Sequence, residues 1–391
     1  MSIRTIAFVY GAPIGVGGLG TQAGNALRAL SLTGCHVHAI GPGPAHDAHA
    51  RALPNVTWHA SPPAPTERPW WRPFRRFAGV GQAWSDRRIG RFAAGTVAST
   101  RPDLCYSFTQ VGLETLRWAA AAGVPSILES PNGHLRAFRD VYVTEAARHC
   151  GRRFHGHPSL AMVERVDAEL ALATRVRVSS NWAVESLASG GVPLKRLTCL
   201  QQPVDLERYR CKPVSEPPTG PLRVCTVGSL DLRKGFVYLL QAVRSLGARV
   251  PVSLRFVGAT GDRCSRLLLE REREGLDVVV RPGDPRDALA EAEVFALPTL
   301  EDGSPFAVAE AMACGRPVIT TTSTGAAEWV EPGTTGWLVR PASFEHLAEA
   351  LAAASDARRR LRQMGELART QTERRAGPGC DRAVADWALA W

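Results

Sequence analysis

The sequence predicts an α/β protein with two Rossmann-like domains, each a doubly wound parallel sheet, facing a central cleft. Three observations carry that expectation. A β-loop-α-β opening runs from Ile6 to Ile40, and the same rhythm restarts at Val224 after a proline-rich interruption. The length of 391 residues also exceeds what one ordinary core fills.

The first strand is the apolar run Ile6-Ala7-Phe8-Val9-Tyr10. A glycine-rich loop, Gly11 to Gly20, follows it, then a helical pattern from Thr21 to Leu32 and a second strand from His36 to Ile40. Leu104–Phe108, Ser126–Glu129 and Val176–Ser180 read as further strands, with helices over Gly112–Ala122 and Asn181–Ser189. Gln202–Asp205 and the polar, proline-rich run Lys212–Pro221 break the periodicity. Residues 1–205 are therefore expected to form the first domain and 206–221 a linker. The second domain, 222–375, has strands at Val224–Gly228, Val252–Val257, Asp277–Val280, Val294–Leu297 and Val318–Thr321. Helical patterns cover Gly235–Leu246 and Ala342–Gly365. The terminal piece, 376–391, sets Val384, Trp387 and Trp391 at helical spacing and is expected to pack back on the first domain.

Hydrophobic residues make up 45% of the chain and charged residues 21%, the balance of a folded soluble protein. The formal charge of +10 draws anions: a nucleotide diphosphate, an anionic membrane face or nucleic acid. No nucleic-acid motif accompanies it, so nucleic acid is not expected as a partner. The nine cysteines form no CxxC pair and no zinc-like spacing, and several lie in apolar runs. Buried free thiols in a reducing compartment are the expectation. No leader precedes the first strand and no uncharged stretch reaches the length of a membrane span. A cytoplasmic location follows as an expectation, with peripheral attachment to the inner face of the cell membrane left open. The run Trp70-Trp71-Arg72-Pro73-Phe74-Arg75-Arg76-Phe77, continued by Trp84, Arg87, Arg88, Arg91 and Phe92, bears on that. Arginines beside aromatic rings suit an anionic interface; a solvated loop over core aromatics is the other reading.

The richest chemistry lies in Asp302-Gly303-Ser304-Pro305-Phe306-Ala307-Val308-Ala309-Glu310, just beyond the apolar run 294–298. Ser304 is the expected N-cap of a helix, Pro305 its first residue and Gly315 its stop, with Pro317 barring continuation. Two carboxylates thus flank a helix start. Carboxylates accept hydrogen bonds from sugar hydroxyls, and helix N-terminal amides receive phosphate oxygens. Glu310 sits among Val308, Ala309, Ala311 and Met312, where an unpaired carboxylate is costly. Ribose hydroxyls or a core salt bridge would satisfy it. Arg233-Lys234 lies between the strand ending at Gly228 and the helix beginning near Gly235, placed to clamp a diphosphate. Gly17-Gly18-Leu19-Gly20 allows close backbone approach to phosphate but lacks the lysine and serine of a P-loop.

Asp302, seven intervening residues and Glu310, followed by Ala311-Met312-Ala313-Cys314-Gly315-Arg316-Pro317-Val318, resemble the signature of the retaining glycosyltransferases of family 4. Lys234-Gly235, Gly17-Gly18, Ser179-Ser180-Asn181-Trp182, Gly191-Val192-Pro193-Leu194-Lys195 and Gly333–Val339 fit the same family. The resemblance implies the two-domain GT-B fold and a nucleoside diphosphate sugar, a UDP- or GDP-sugar, as donor. It further implies metal-independent hexosyl transfer, with retention, to a glycan or lipid-linked acceptor. By that resemblance Asp302 meets donor-sugar hydroxyls, Glu310 the ribose and Lys234 the phosphates, with Gly17 and Gly18 closing over the diphosphate. The implied donor-binding set is Gly17, Gly18, Gly228, Lys234, Gly303, Ser304, Pro305, Phe306 and Glu310. The catalytic candidates are Lys234, Arg233, Asp302, Glu310 and His134. Three departures mark this chain. Asp302 stands where glutamate is commoner, with Glu301 beside it; Gly228-Ser229 replaces Gly-Arg, leaving Arg233 as the replacement cation; and the first-domain histidine is matched only by His134 in Glu129–His134. His134 is read as an acceptor-side contact or as a structural loop residue. No Asp-x-Asp metal motif is present, and no other cofactor is expected. The rival readings are another GT-B enzyme, such as a sugar-nucleotide epimerase or phosphorylase, and a non-catalytic basic module for membrane or glycan.

Overall fold

Two all-parallel sheets organise the chain. The computed structural model describes residues 3–44, 47–62, 78–151, 158–210, 220–377 and 379–391. The chain divides into one unit of Met1–Arg139, His155–Pro203 and Pro378–Trp391 and a second of Asp140–Phe154 and Val204–Gly377.

The first sheet is built from β1 (Thr5–Val9), β2 (His36–Gly41), β3 (Val56–Ala60), β4 (Leu104–Phe108), β5 (Ser126–Glu129), β6 (Arg175–Val178) and β7 (Leu197–Cys199). Its strands pair in the order β3-β2-β1-β4-β5-β6-β7. Between them run α1 (Gly17–Ser31), α2 (Ala48–Arg51), α3 (Ala78–Thr100), α4 (Leu113–Ala122), α5 (Leu135–His149), α6 (Leu160–Leu172) and α7 (Asn181–Ser189). A parallel sheet covered on both faces needs continuous apolar strands, and Ile6 to Val9 of β1 are fully buried. A charged pair is buried within the sheet: Arg177 of β6 meets Glu129 of β5 at 2.9 Å, and Gln22 and Gln202 also donate to that carboxylate. Such pairing is what makes a buried charge tolerable.

The second sheet comprises β8 (Leu222–Val227), β9 (Val252–Val257), β10 (Asp277–Arg281), β11 (Val294–Leu297), β12 (Val318–Thr321) and β13 (Gly336–Val339). The order is β10-β9-β8-β11-β12-β13, all parallel. Its helices are α8 (Phe236–Leu246), α9 (Arg263–Glu272), α10 (Arg286–Glu291), α11 (Phe306–Ala313), α12 (Phe344–Asp356) and α13 (Leu361–Arg375). The last helix, α14 (Gly379–Leu389), belongs to the first unit, as expected. It packs on α1 through Arg28–Asp381 at 2.6 Å and buries Ala388, while Arg175 lies 4.2 Å from the Trp391 ring centroid.

Several expectations are corrected. Gly17 and Gly18 lie in the first turn of α1 rather than in a loop, because the chain folds tightly back on that turn. A Cβ on Gly20 would sit 2.2 Å from the Pro13 carbonyl oxygen. The linker is shorter than 206–221 at its start: Val204 and Tyr209 are in the core of the second unit, and the Val204 amide bonds the Ala376 carbonyl at 3.2 Å. Residues 211–219 fall outside the described residues. The helical pattern 342–365 is two helices, broken where Arg358 reaches Glu293 at 2.7 Å and the Gly220 carbonyl at 2.7 Å. Not every cysteine described is a free thiol: Cys150 and Cys264 form a disulfide in the second unit, 114 residues apart in sequence. Folding brings their Cα atoms to 6.0 Å, which spacing along the chain cannot reveal.

Candidate functional site

In the second sheet the strand order reverses between β8 and β11. Ligands of open parallel sheets bind at such a reversal, outside the carboxyl ends of the strands. The loops concerned are Gly228–Gly235 after β8 and Pro298–Asp302 after β11.

The β8 loop is shaped by glycine. Gly228 has φ +140°, and the oxygen of its carbonyl would lie 1.8 Å from a Cβ on Gly258. Gly235, at φ +69°, starts α8 where a Cβ would meet the Pro298 oxygen at 2.0 Å. Side chains at 235 and 258 would therefore push the loop out of place. Between these glycines, Asp231 caps a single turn, Leu232–Lys234, accepting from the Lys234 amide at 3.1 Å and the Ser229 hydroxyl at 2.5 Å. Tyr142 also hydrogen-bonds Asp231.

That turn delivers both cations to the carboxylates after β11. The Lys234 ammonium is paired with Asp302, and Arg233 Nη1 lies 3.2 Å from Asp302 Oδ2 and 3.5 Å from Glu301 Oε2. Arg233 also donates to the Glu301 carbonyl at 2.7 Å, and its own carbonyl accepts from the Leu300 amide at 2.7 Å. The side chains of Asp302 and Glu301 are 8% and 3% exposed. Burial works against charge on Asp302, but Lys234 and then Arg233 outweigh it and hold the carboxyl below its ordinary value. For Arg233, Asp302, Asp231, Glu301 and Tyr142 likewise overcome burial, so its charge is reinforced. A shallow hollow, open to solvent, lies beside the cluster and is lined by Gly228, Ser229, Lys234, Phe256 and Pro298 among others.

Helix α11 begins one residue later than expected. Pro305 is the N-cap, with φ −66° and ψ 117°, and no side chain caps the helix; Ser304 lies before it. The extended ψ of Pro305 accounts for the difference, because it keeps that residue outside the helical turn. The amides opening α11 lack acceptors within the helix, so it remains a place where an anion can be held. Gly303 is buried, whereas Ser304 and Phe306 are partly exposed. Glu310, in the second turn, is partly buried, with Tyr209 close to it. Burial pushes its carboxyl up; Tyr209 and Arg208 pull the other way, and Asp284 adds to the rise.

Lys234, Arg233 and Asp302 thus converge, with Gly228, Gly303, Ser304, Pro305, Phe306 and Glu310 in the same unit. Gly17, Gly18 and His134 belong to the first unit. The His134 backbone amide donates to the Ser186 hydroxyl at 2.9 Å, and its ring is held on both nitrogens: Nδ1 accepts from the Arg136 amide at 3.3 Å and Nε2 lies 3.2 Å from Asp167. Residues 70–77 fall outside the described residues. Asp231 and Tyr209 were not singled out from sequence. The spacing Asp231-x-x-Lys234 is a capping signal that could have revealed the first; nothing local marks the second.

Residues 221–356 match the family model Glycosyl transferases group 1. The second unit carries a glycosyltransferase domain. The chain is 34% identical over 191 residues to a putative colanic acid biosynthesis glycosyltransferase, WcaL, of Escherichia coli, covering 46% of each chain. It is 29% identical over 224 residues to an MMP α-(1→4)-mannosyltransferase of Mycolicibacterium hassiacum, covering 55% of this chain and 52% of that one. These matches span about half the length of the relatives. Among solved structures, HepE of Anabaena in complex with UDP aligns over 99% of this chain and all of its own, at TM-score 0.71 and 15% identity. Sucrose-phosphate synthase of Thermosynechococcus elongatus aligns over 98% and 97%, at TM-score 0.74 and 19% identity. Both show the GT-B fold expected from sequence.

Proposed function

We propose that the protein is a retaining glycosyltransferase, moving a hexosyl group from a nucleoside diphosphate sugar to a hydroxyl of a glycan or lipid-linked acceptor without a metal ion. The observation that carries this is the convergence of Lys234, Arg233 and Asp302 at the strand-order reversal of a glycosyltransferase domain. A donor sugar is bonded directly to its diphosphate, so it needs cations and a hydroxyl-accepting carboxylate side by side. The cluster supplies both. Lys234 and the α11 amides would hold the diphosphate, Asp302 the hexose hydroxyls, and Glu310 the ribose.

In the reaction the bond from the anomeric carbon to the phosphate oxygen breaks as positive charge grows on the sugar. The acceptor oxygen bonds that carbon on the same face, and the leaving phosphate takes the acceptor proton. The chain's part is electrostatic: Lys234 stabilises the negative charge developing on the diphosphate. UDP- and GDP-sugars are the donors to test. The first unit, including Gly17, Gly18 and His134, would serve acceptor selection and closure over the donor.

Attachment to an anionic membrane surface, from a cytoplasmic location, is supported by α3. Trp84 and Arg87, Arg88 and Arg91 share one face at helical spacing; Trp84 is 49% exposed, and Arg88 stacks 5.0 Å from its ring centroid. No described helix is long and apolar enough to cross a membrane.

A donor-hydrolysis and transfer screen across nucleoside diphosphate sugars, read by released nucleotide and product stereochemistry, tests the proposal. Turnover of at least one donor with retained configuration is expected. An inverted product would refute retention, an epimerised nucleotide sugar would establish the rival enzyme class, and failure to bind any nucleoside diphosphate would end the reading.

A further inference from the structure

The loop that carries Lys234, Gly228–Gly235, is held from two sides, and one covalent bond joins them. On one side runs the loop after β9: the Leu230 amide bonds the Ala259 carbonyl at 3.0 Å, and Leu230 forms a parallel bridge with Thr260. That loop passes directly into α9, where Asp262 caps the helix, accepting from the Ser265 amide at 2.9 Å and the Ser265 hydroxyl at 2.7 Å. Cys264 stands in this capped first turn. On the other side is the C-terminal part of α5, which from Asp140 onward belongs to the second unit. Glu145 there accepts from the Tyr238 hydroxyl at 2.6 Å, while Arg148 bonds both Glu145, at 3.0 Å, and Tyr238. The His149 ring meets that of Tyr238 edge-on, with centroids 5.7 Å apart. Tyr238 lies in the first turn of α8, and its amide bonds the Gly235 carbonyl at 3.0 Å, next to Lys234. Cys150 follows this part of α5, and its disulfide to Cys264 closes a bracket around the loop.

Resting on the reading that this loop holds the donor diphosphate, we propose that the Cys150–Cys264 disulfide is a redox-regulated modification site whose reduction by a dithiol loosens the Lys234 turn and lowers donor affinity. With the bond intact, both flanks of the loop are tied together and the turn is ready for its ligand. With it broken, the flanks are joined only by hydrogen bonds and packing, and hydrogen bonds exchange with water at small net cost. The ligand must then order the turn itself, at the expense of affinity. Both cysteines are partly exposed, so a dithiol can reach them. Helix N-terminal amides favour a thiolate on Cys264, which makes it the better leaving group. The first thiolate of the dithiol bonds Cys150 Sγ as the disulfide breaks, and Cys264 leaves and takes a proton. The second thiol displaces Cys150, which takes the other proton. Both cysteines end as thiols and the dithiol as its own disulfide, a transfer of two electrons. The cytoplasmic location proposed above suits such a bond, because disulfides in a reducing compartment form and break with the thiol balance.

The test uses the full chain in three states, oxidised, reduced with dithiothreitol and reoxidised, titrated by calorimetry with UDP and GDP as probes. Alkylation mapped by mass spectrometry should find Cys150 and Cys264 blocked before reduction and labelled after it. Reduction should weaken nucleotide binding about tenfold, reversibly, and raise amide exchange across Gly228–Tyr238. Cys264→Ser should bind like the reduced protein and no longer respond to dithiothreitol; a response that persists in the variant would place the effect elsewhere and overturn the proposal. Should the variant not fold, reversible reduction of the unaltered chain decides alone. Equal affinity in the oxidised and reduced forms, even with a lower Tm on reduction, would assign the bond to stability only, overturning the proposal and leaving the donor reading intact. Labelling of both cysteines without reductant would overturn it as well. If neither form bound either nucleotide, the donor reading would fail and the switch with it.

Discussion

Replacing Asp302 by asparagine should separate nucleotide binding from sugar transfer. The cluster holds two cations, Arg233 and Lys234, against three carboxylates, Asp231, Glu301 and Asp302. A diphosphate therefore meets an ammonium already engaged by Asp302 and must draw it away. Asparagine keeps the shape and removes that competition. A net gain of about 1 kcal/mol for a partly screened pair corresponds to roughly fivefold tighter binding of a nucleoside diphosphate. The sugar loses instead. Hydrogen bonds to a charged acceptor are worth about 1.5–3 kcal/mol, so transfer should fall by roughly ten- to 150-fold. Calorimetry with UDP and GDP measures the first effect and initial rates of transfer the second. The fold should survive, because Arg233 retains the Glu301 carbonyl at 2.7 Å and its carboxylate at 3.5 Å. If nucleotide affinity fell in step with transfer, the partner-exchange reasoning would be wrong.

Three further outcomes are expected. Asp86, 2% exposed on α3, has its carboxyl pushed to about 7 by burial against the pull of Gln82 and Arg165. Its folded value lies above the unfolded one, so its contribution to stability is full below pH 4 and lost as pH rises through about 7, on the order of 4 kcal/mol in all. Asp86→Asn should flatten the dependence of Tm on pH, and an unchanged slope would count against the assignment. Cys264→Ser should lower stability by about 2–4 kcal/mol in denaturant melts, since the disulfide closes a loop of 114 residues; an equal midpoint with and without reductant would contradict it. Gly258→Ala places a Cβ 1.8 Å from the Gly228 oxygen and should cost about 3 kcal/mol while weakening nucleotide binding, whereas unchanged binding would show that the Gly228 loop does not position the donor.

Sequence reading was most successful where strands are covered on both faces. The bounds of β4, β5, β11 and β12 match those read from sequence, and every residue in them is buried because a central parallel strand has no solvent side. The edge strand β3, Val-Thr-Trp-His-Ala, is only partly buried along its length. At the site, local chemistry located Arg233-Lys234 and Asp302 separately. Their meeting depends on β8 lying beside β11, a non-consecutive pairing that no local spacing encodes. Tyr209 and the Cys150–Cys264 bridge eluded local reading for the same reason: each contact is made by chain segments far apart in sequence.

The geometry also divides the work between adjacent cations that sequence reading had grouped together. Arg233 is held on every side, by the Glu301 carbonyl, by the carboxylates of Glu301 and Asp302, and through its own carbonyl by Leu300 and Thr299. A planar guanidinium in that many fixed contacts is suited to tying the β8 and β11 loops together. The Lys234 ammonium, at the end of a flexible stem, pairs with the Asp302 carboxylate and can exchange it for a phosphate oxygen at smaller structural cost. The neighbouring acids divide in the same way. Glu301 faces Arg233 and serves as its counter-ion, which in the proposed donor complex would leave the shorter Asp302 to receive sugar hydroxyls once Lys234 turned to the diphosphate.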